Sequence, residues 1–88
     1  MKQTILVVED NKMTRELIKI YLKKAGYDVV EAADGEEAKE VFLTKHPCLI
    51  ILDLMLPKLS GEEFCTWVRE QERNEVSIIM LSAKSRTE

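Results

Sequence analysis

The chain is predicted to fold as an α/β domain, a doubly wound parallel sheet with helices on both faces. Three observations predict it. Short apolar runs alternate along the chain with stretches of helical periodicity. Three of the runs, Ile5-Leu6-Val7-Val8, Leu49-Ile50-Ile51-Leu52 and Ile78-Ile79-Met80-Leu81, are apolar on both faces, as strands covered from both sides must be. No repeat, low-complexity tract or Gly/Ser linker interrupts the 88 residues, so they read as one domain, 1–88.

The elements follow in order. The first strand is the run ending at Val8. Leu17, Ile18, Tyr21, Leu22 and Ala25 then recur at helical spacing, and Gly26 stops that helix. Asp28-Val29-Val30-Glu31-Ala32 is more mixed and reads as an edge strand. Asp34 and Glu37 stand at capping-box spacing and open a second helix. Ala38, Val41 and Phe42 form its apolar face, and Pro47 bars its continuation. The third strand leads to Asp53. Ser60 and Glu63 repeat the capping device, with Phe64 and Val68 turned inward on a third helix. The fourth strand is the run ending at Leu81. Beyond it, Ser85 to Glu88 can begin a further helix but not complete one, so the sequence reads as a fragment of a larger α/β sheet.

Composition excludes several roles. Apolar residues make up 45% and charged residues 33%, ordinary for a soluble domain. With 13 basic and 16 acidic residues the net charge is −3, which argues against direct nucleic-acid binding by this chain. No apolar run spans a bilayer and no signal peptide follows Lys2. Cys48 and Cys65 do not make a disulfide framework, and a cytoplasmic chain with free thiols is expected.

The polar residues fall at the carboxyl ends of the strands, where open α/β sheets bind ligands. Glu9 and Asp10 follow the first strand, Asp53 the third and Ser82 the fourth. Three converging carboxylates repel one another unless a hard cation sits among them, and an oxygen-only donor set suits Mg²⁺. Such a cation prepares a site for a phosphoryl group, with Asp53 the candidate nucleophile forming an acyl phosphate. Asp10 or Asn11 also has the chemistry of a helix cap.

These residues resemble the receiver domain of bacterial two-component response regulators. The resemblance rests on Ile5-Leu6-Val7-Val8-Glu9-Asp10-Asn11, Ala33-Asp34-Gly35-Glu36-Glu37-Ala38, the block Asp53 to Gly61, and Ile78-Ile79-Met80-Leu81-Ser82-Ala83-Lys84. In detail it is most similar to receivers of winged-helix transcription factors. The resemblance implies a flavodoxin-like fold with strand order 2-1-3-4. It implies Asp53 as phosphoacceptor, Asp10 as a direct Mg²⁺ ligand, Glu9 as its acidic neighbour and the Met55 backbone carbonyl as a third protein ligand. Ser82 matches the switch hydroxyl that turns toward the phosphoryl oxygens, and Ala83 the small residue that leaves access to the acyl phosphate. Pro57 and Gly61 match the loop shaping the acceptor's surroundings, with Gly61 expected to permit an unusual backbone. The implied partner is a sensor histidine kinase or phosphotransfer protein, with Asn11, Thr14 and Leu17 as its candidate docking surface. The domain is then a phosphoacceptor that assists its own chemistry, not an enzyme acting on a separate substrate, and it switches an output such as transcription.

Departures are equally plain. The lysine and switch aromatic of the family's fifth strand are not among the 88 residues, nor are that strand and the last helices. An aspartyl-phosphate hydrolase, the rival chemistry, needs an acid just past the nucleophile, where Leu54 and Met55 stand. A structural or dimerisation fragment is the other rival. With the fourth strand as an open apolar edge, a homodimer through 76–81 and the tail 82–88 is expected. Of the remaining residues, His46 reads as a helix C-terminal cap. Lys12, Arg15, Lys19 and Lys23 read as a solvated face. Met13, Leu17 and Ile20 widen an apolar flank, and Trp67, Cys65 and Cys48 read as packing residues.

Overall fold

The computed structural model describes residues 3–53, 59–71 and 75–81. Four strands, β1 (Thr4–Val8), β2 (Asp28–Ala32), β3 (Leu49–Asp53) and β4 (Ser77–Leu81), alternate with three helices, α1 (Lys12–Lys24), α2 (Gly35–Lys45) and α3 (Gly61–Arg69). All pairings are parallel and the order is β2-β1-β3-β4. The expected elements and strand order are therefore observed.

Each helix begins and ends where local chemistry dictates. Asn11 caps α1, its Oδ1 accepting the Thr14 N–H at 2.9 Å. At the other end Gly26 takes a φ of 101°, and the Gly26 and Tyr27 N–H groups donate to the Lys23 and Leu22 carbonyls. That is the Schellman arrangement, which a residue with a Cβ resists. Asp34 Oδ1 accepts the Glu37 N–H at 2.8 Å at the start of α2, while Glu37 Oε1 reaches back to the Ala33 N–H. Ser60 and Glu63 make the reciprocal box at α3. His46 ends α2 with a left-handed backbone, φ 51°, its N–H donating to the Phe42 carbonyl. It caps through the main chain, and a helix end closed in this way needs no side chain.

The core lies mainly on one face of the sheet. Leu6, Val8, Ile50 and Leu52 meet Ala38 and Phe42 of α2 and Phe64 and Val68 of α3, all buried. Trp67 stacks on Phe64 at 5.9 Å and meets Phe42 edge-on at 5.6 Å, tying α3 to α2. Fully burying such side chains is worth about 1.5–3 kcal/mol each. Ile5 and Val7 alternate to the opposite face, which α1 covers over β1 and β2.

Four expectations are corrected. First, β4 is not buried from both sides: Ile79 and Leu81 are exposed because α1 packs on β1 and β2 and leaves its face of the β4 edge open, and Met80, on the opposite face beside α3, is exposed as well. Second, α1 buries no residue fully; of the helically spaced apolar set Ile18 and Leu22 are half-buried, whereas Leu17 and Tyr21 are exposed, as are Met13 and Ile20 on the apolar flank. Third, Cys48 is exposed, not packed, at the turn into β3, while Cys65 is half-buried; both thiols are free. Fourth, Gly61 has no left-handed backbone. It is the buried first residue of α3, where an ordinary helical conformation is required. Among the described residues, no helix is long and apolar enough to cross a membrane.

Candidate functional site

Register assembles the site. Val8 lies opposite Leu52 in the β1–β3 ladder, so the residue after Val8 stands across from Asp53. The Glu9 N–H donates to the Ala32 carbonyl at 3.1 Å, which extends the β1–β2 pairing by one bond and carries Glu9 to the sheet's carboxyl end. Glu9, Asp10 and Asp53 each offer a carboxylate oxygen there, and these oxygens lie within 4.8 Å of one another. Glu9 is buried, Asp53 half-buried and Asp10 exposed, so the cluster opens outward through Asp10.

The electrostatics follow from this crowding. Burial pushes the Glu9 carboxyl above the usual glutamate value, and the nearby charges of Asp53 and Asp10 add to the rise. The Asn11 N–H, donated to Glu9 Oε2 at 3.1 Å, works the other way. Because Asn11 supplies the α1 cap, Asp10 is left out of that role and remains with the acidic cluster.

The donor set fits a small hard cation. Octahedral Mg²⁺ with oxygens at about 2.0–2.1 Å spaces its ligands roughly 3 Å apart in cis and 4.2 Å in trans. Three carboxylate oxygens within 4.8 Å match that range, directly or with a water between. All three ligands are oxygens, with no His or Cys in the cluster, which disfavours softer metals.

Of the other sequence-predicted residues, Asn11, Thr14 and Leu17 are exposed on the first turns of α1. Gly61 sits at the start of α3, beyond the acceptor loop. Met55, Pro57, Ser82 and Ala83 lie outside the described residues.

One participant escaped the sequence reading. Arg15, expected on a solvated face, donates from Nη1 to the Glu9 backbone carbonyl at 2.8 Å and from Nε to Glu31 Oε1 at 3.1 Å. Lys19 holds the other Glu31 oxygen at 2.8 Å. That pairing with Lys19, then Arg15, holds the Glu31 carboxyl below the usual glutamate value. The available signal was the acid itself: β2 opens on the exposed Asp28, but Glu31 is a second, half-buried charge in the strand, and the helix that must pack there carries an i,i+4 basic pair.

A parallel α/β sheet of order 2-1-3-4 with an acidic cluster at the carboxyl end of its central strands defines the class, an open doubly wound domain with a candidate cation site at its edge. The chain belongs to the response regulator receiver domain family, whose pattern matches residues 5–88. It is 46% identical over 84 residues to the alkaline phosphatase synthesis transcriptional regulatory protein PhoP of Bacillus subtilis, covering 96% of this chain and 35% of that protein. It is likewise 46% identical over 84 residues to a probable transcriptional regulator ycf27 of Porphyridium aerugineum, covering 96% of this chain and 34% of the relative. Among solved structures it resembles the chemotaxis response regulator CheY4 of Vibrio cholerae, with a TM-score of 0.88, 33% identity and coverage of 91% of this chain and 68% of that one. The chain spans about a third of the length of the curated relatives it matches.

Proposed function

We propose that this receiver domain, residues 1–88, accepts a phosphoryl group on Asp53 from a phosphohistidine of a sensor histidine kinase or phosphotransfer protein. The observation that carries the reading is the convergence of Glu9, Asp10 and Asp53 within 4.8 Å at one end of the sheet. An Asp53 carboxylate oxygen forms the new P–O bond as the P–N bond breaks, and the departing imidazole keeps the electron pair and takes up a proton. Asp10 and Asp53 would hold Mg²⁺ directly, with Glu9 beside them and the Met55 carbonyl as a further ligand. Bound there, the ion supplies neutralisation of charge on the transferring oxygens. Ser82 is the switch hydroxyl, with Ala83 leaving access and Pro57 and Gly61 shaping the loop. Asn11, Thr14 and Leu17, exposed beside the site, offer the partner its docking surface.

The domain assists its own phosphorylation and is not an enzyme toward a separate substrate. We place it in the cytoplasm, with transcription as the output that its relatives' names support. Its net charge of −3 supports a chain that does not itself grip nucleic acid.

Intact-mass measurement after incubation with a small acyl phosphate and Mg²⁺, quenched in acid, tests the reading. One phosphoryl group is expected on the wild-type chain and none on Asp53→Asn. The yield should be poor in these 88 residues, since the family's phosphoryl-pairing lysine is not among them. Equal labelling of the two proteins overturns the assignment.

A second property is supported by the exposure of Ile79, Met80 and Leu81. The 88-residue chain self-associates through β4 and the tail 82–88, since an apolar strand edge is a template for another copy. Light scattering across a concentration series should show a dimer that Met80→Lys weakens. A monomer at every concentration, with a cooperative thermal transition, refutes it.

A further inference from the structure

Resting on the proposed metal site, we infer that Arg15 is a positioning residue for it, clamping the backbone that carries Glu9 and Asp10. The observation is the division of its guanidinium. Nη1 donates to the Glu9 carbonyl at 2.8 Å, and Nε is anchored on Glu31 at 3.1 Å. Glu31 is itself held from the other side by Lys19 at 2.8 Å. Arg15 and Glu31 are both shielded, with side-chain exposures of 15% and 25%.

The chain of contacts joins three elements. It runs from Lys19 and Arg15 on α1, through Glu31 on β2, to the peptide that leaves β1. Glu9 is the last residue tied into the sheet, through its N–H to Ala32, and Asn11 already belongs to the α1 cap. The stretch between them turns sharply and carries two of the three acids. Its Glu9 carbonyl accepts from Arg15 Nη1 at 2.8 Å, which secures the main chain at the point where it leaves β1. Charge repulsion among Glu9, Asp10 and Asp53 pushes this stretch outward; the Arg15 bond resists it.

A planar fork makes this possible. Arginine can meet a carbonyl and a carboxylate at once in fixed geometry, whereas lysine presents a single point charge. Arg15 therefore does its work on the main chain.

The role has a signature that a charge effect cannot imitate. Removing a cation near an acidic site should strengthen binding of another cation. Loss of a clamp should weaken it, because the acids must be gathered before they bind. Mg²⁺ affinity of the 88-residue chain is measured by isothermal titration calorimetry at a temperature where circular dichroism shows each variant folded. Arg15→Ala is expected to bind Mg²⁺ about 10-fold more weakly, the usual scale for a lost outer-shell partner. Arg15→Lys, which keeps the charge and most of the packing but not the fork, should lose nearly as much.

Affinity unchanged or raised in Arg15→Lys overturns the inference, even where Arg15→Ala fails to fold. The underlying site is read separately. Wild-type chain that binds no Mg²⁺, or Asp10→Ala that binds as well as wild type, refutes the metal site itself. Wild-type binding that is abolished by Asp10→Ala but indifferent to both Arg15 changes refutes only the clamp.

Discussion

Gly35→Ala should destabilise the domain although it places a good helix former at the first position of α2. A Cβ built on Gly35 meets Leu59 Cβ at 2.5 Å, Cδ2 at 2.9 Å and Cγ at 3.1 Å. Carbon atoms pack at about 3.5–4.0 Å, so the closest pair falls short by roughly 1 Å. Rotating the leucine side chain relieves Cγ and Cδ2 but not Cβ, whose place is set by the backbone. Either the N-terminus of α2 or the segment entering the Ser60 cap of α3 must move. Overpacking of this kind costs about 1–3 kcal/mol, and the helix-propensity gain returns under about 1 kcal/mol. The net loss of about 1–2 kcal/mol should lower Tm by roughly 5–15 °C in a domain of this size. Thermal unfolding followed at 222 nm measures it. The assay is sharpened by repeating the change in a Leu59→Gly background, where the offending Cβ is gone. There Gly35→Ala should be neutral or stabilising. Gly26→Ala is the contrast. Its added Cβ meets nothing within 4 Å, but its φ of +101° strains any side chain, so its cost should not depend on residue 59. A Gly35→Ala chain as stable as wild type, or a cost undiminished beside Leu59→Gly, would refute the close approach.

Three further outcomes are expected. Phe64→Ala empties a fully buried site on the inner face of α3 and should cost about 3–5 kcal/mol, with Trp67 fluorescence shifting as its stacking partner is lost; a loss under 1 kcal/mol by urea titration contradicts the packing. Glu9→Gln should raise the melting temperature of the metal-free chain at pH 7 while weakening Mg²⁺ binding about tenfold. The sign follows from burial: the Glu9 carboxyl is raised above 4.5, so its charged form opposes folding above that pH. Glu31 behaves oppositely. Its carboxyl is lowered by Lys19 and then Arg15, so its contribution is present above 4.5 and lost as pH falls through the lowered value. Wild type should thus lose more stability between pH 5 and pH 3 than Glu31→Gln, and melts across that range that run parallel would contradict the pairing.

Much of this protein was legible in one dimension because the signals are local. Capping residues three apart, a glycine past a helix end and four-residue apolar runs each act over a single turn or strand. They set the α/β alternation and place the four strands within about a residue. The gathering of Glu9, Asp10 and Asp53 was legible for a related reason: residues at strand ends in a parallel sheet must gather at one edge, whatever lies between them. Tertiary structure decided what depends on who stands next to whom. Four apolar residues of β4 looked like a buried strand, but burial needs a covering layer: Ile78 reaches the core, while α1 covers only β1 and β2 on its face and leaves Ile79 and Leu81 open. Leu17 and Tyr21 share the period of Ile18 and Leu22, yet a helix resting on the flank of a sheet buries a narrow stripe, and they fall outside it. Arg15 carries a charge that any sequence reading gives to water. Only the crossing of α1 over β2 brings it to Glu31 and turns its second nitrogen onto the Glu9 carbonyl, since a long side chain's partner is chosen by packing and not by its own position in the chain.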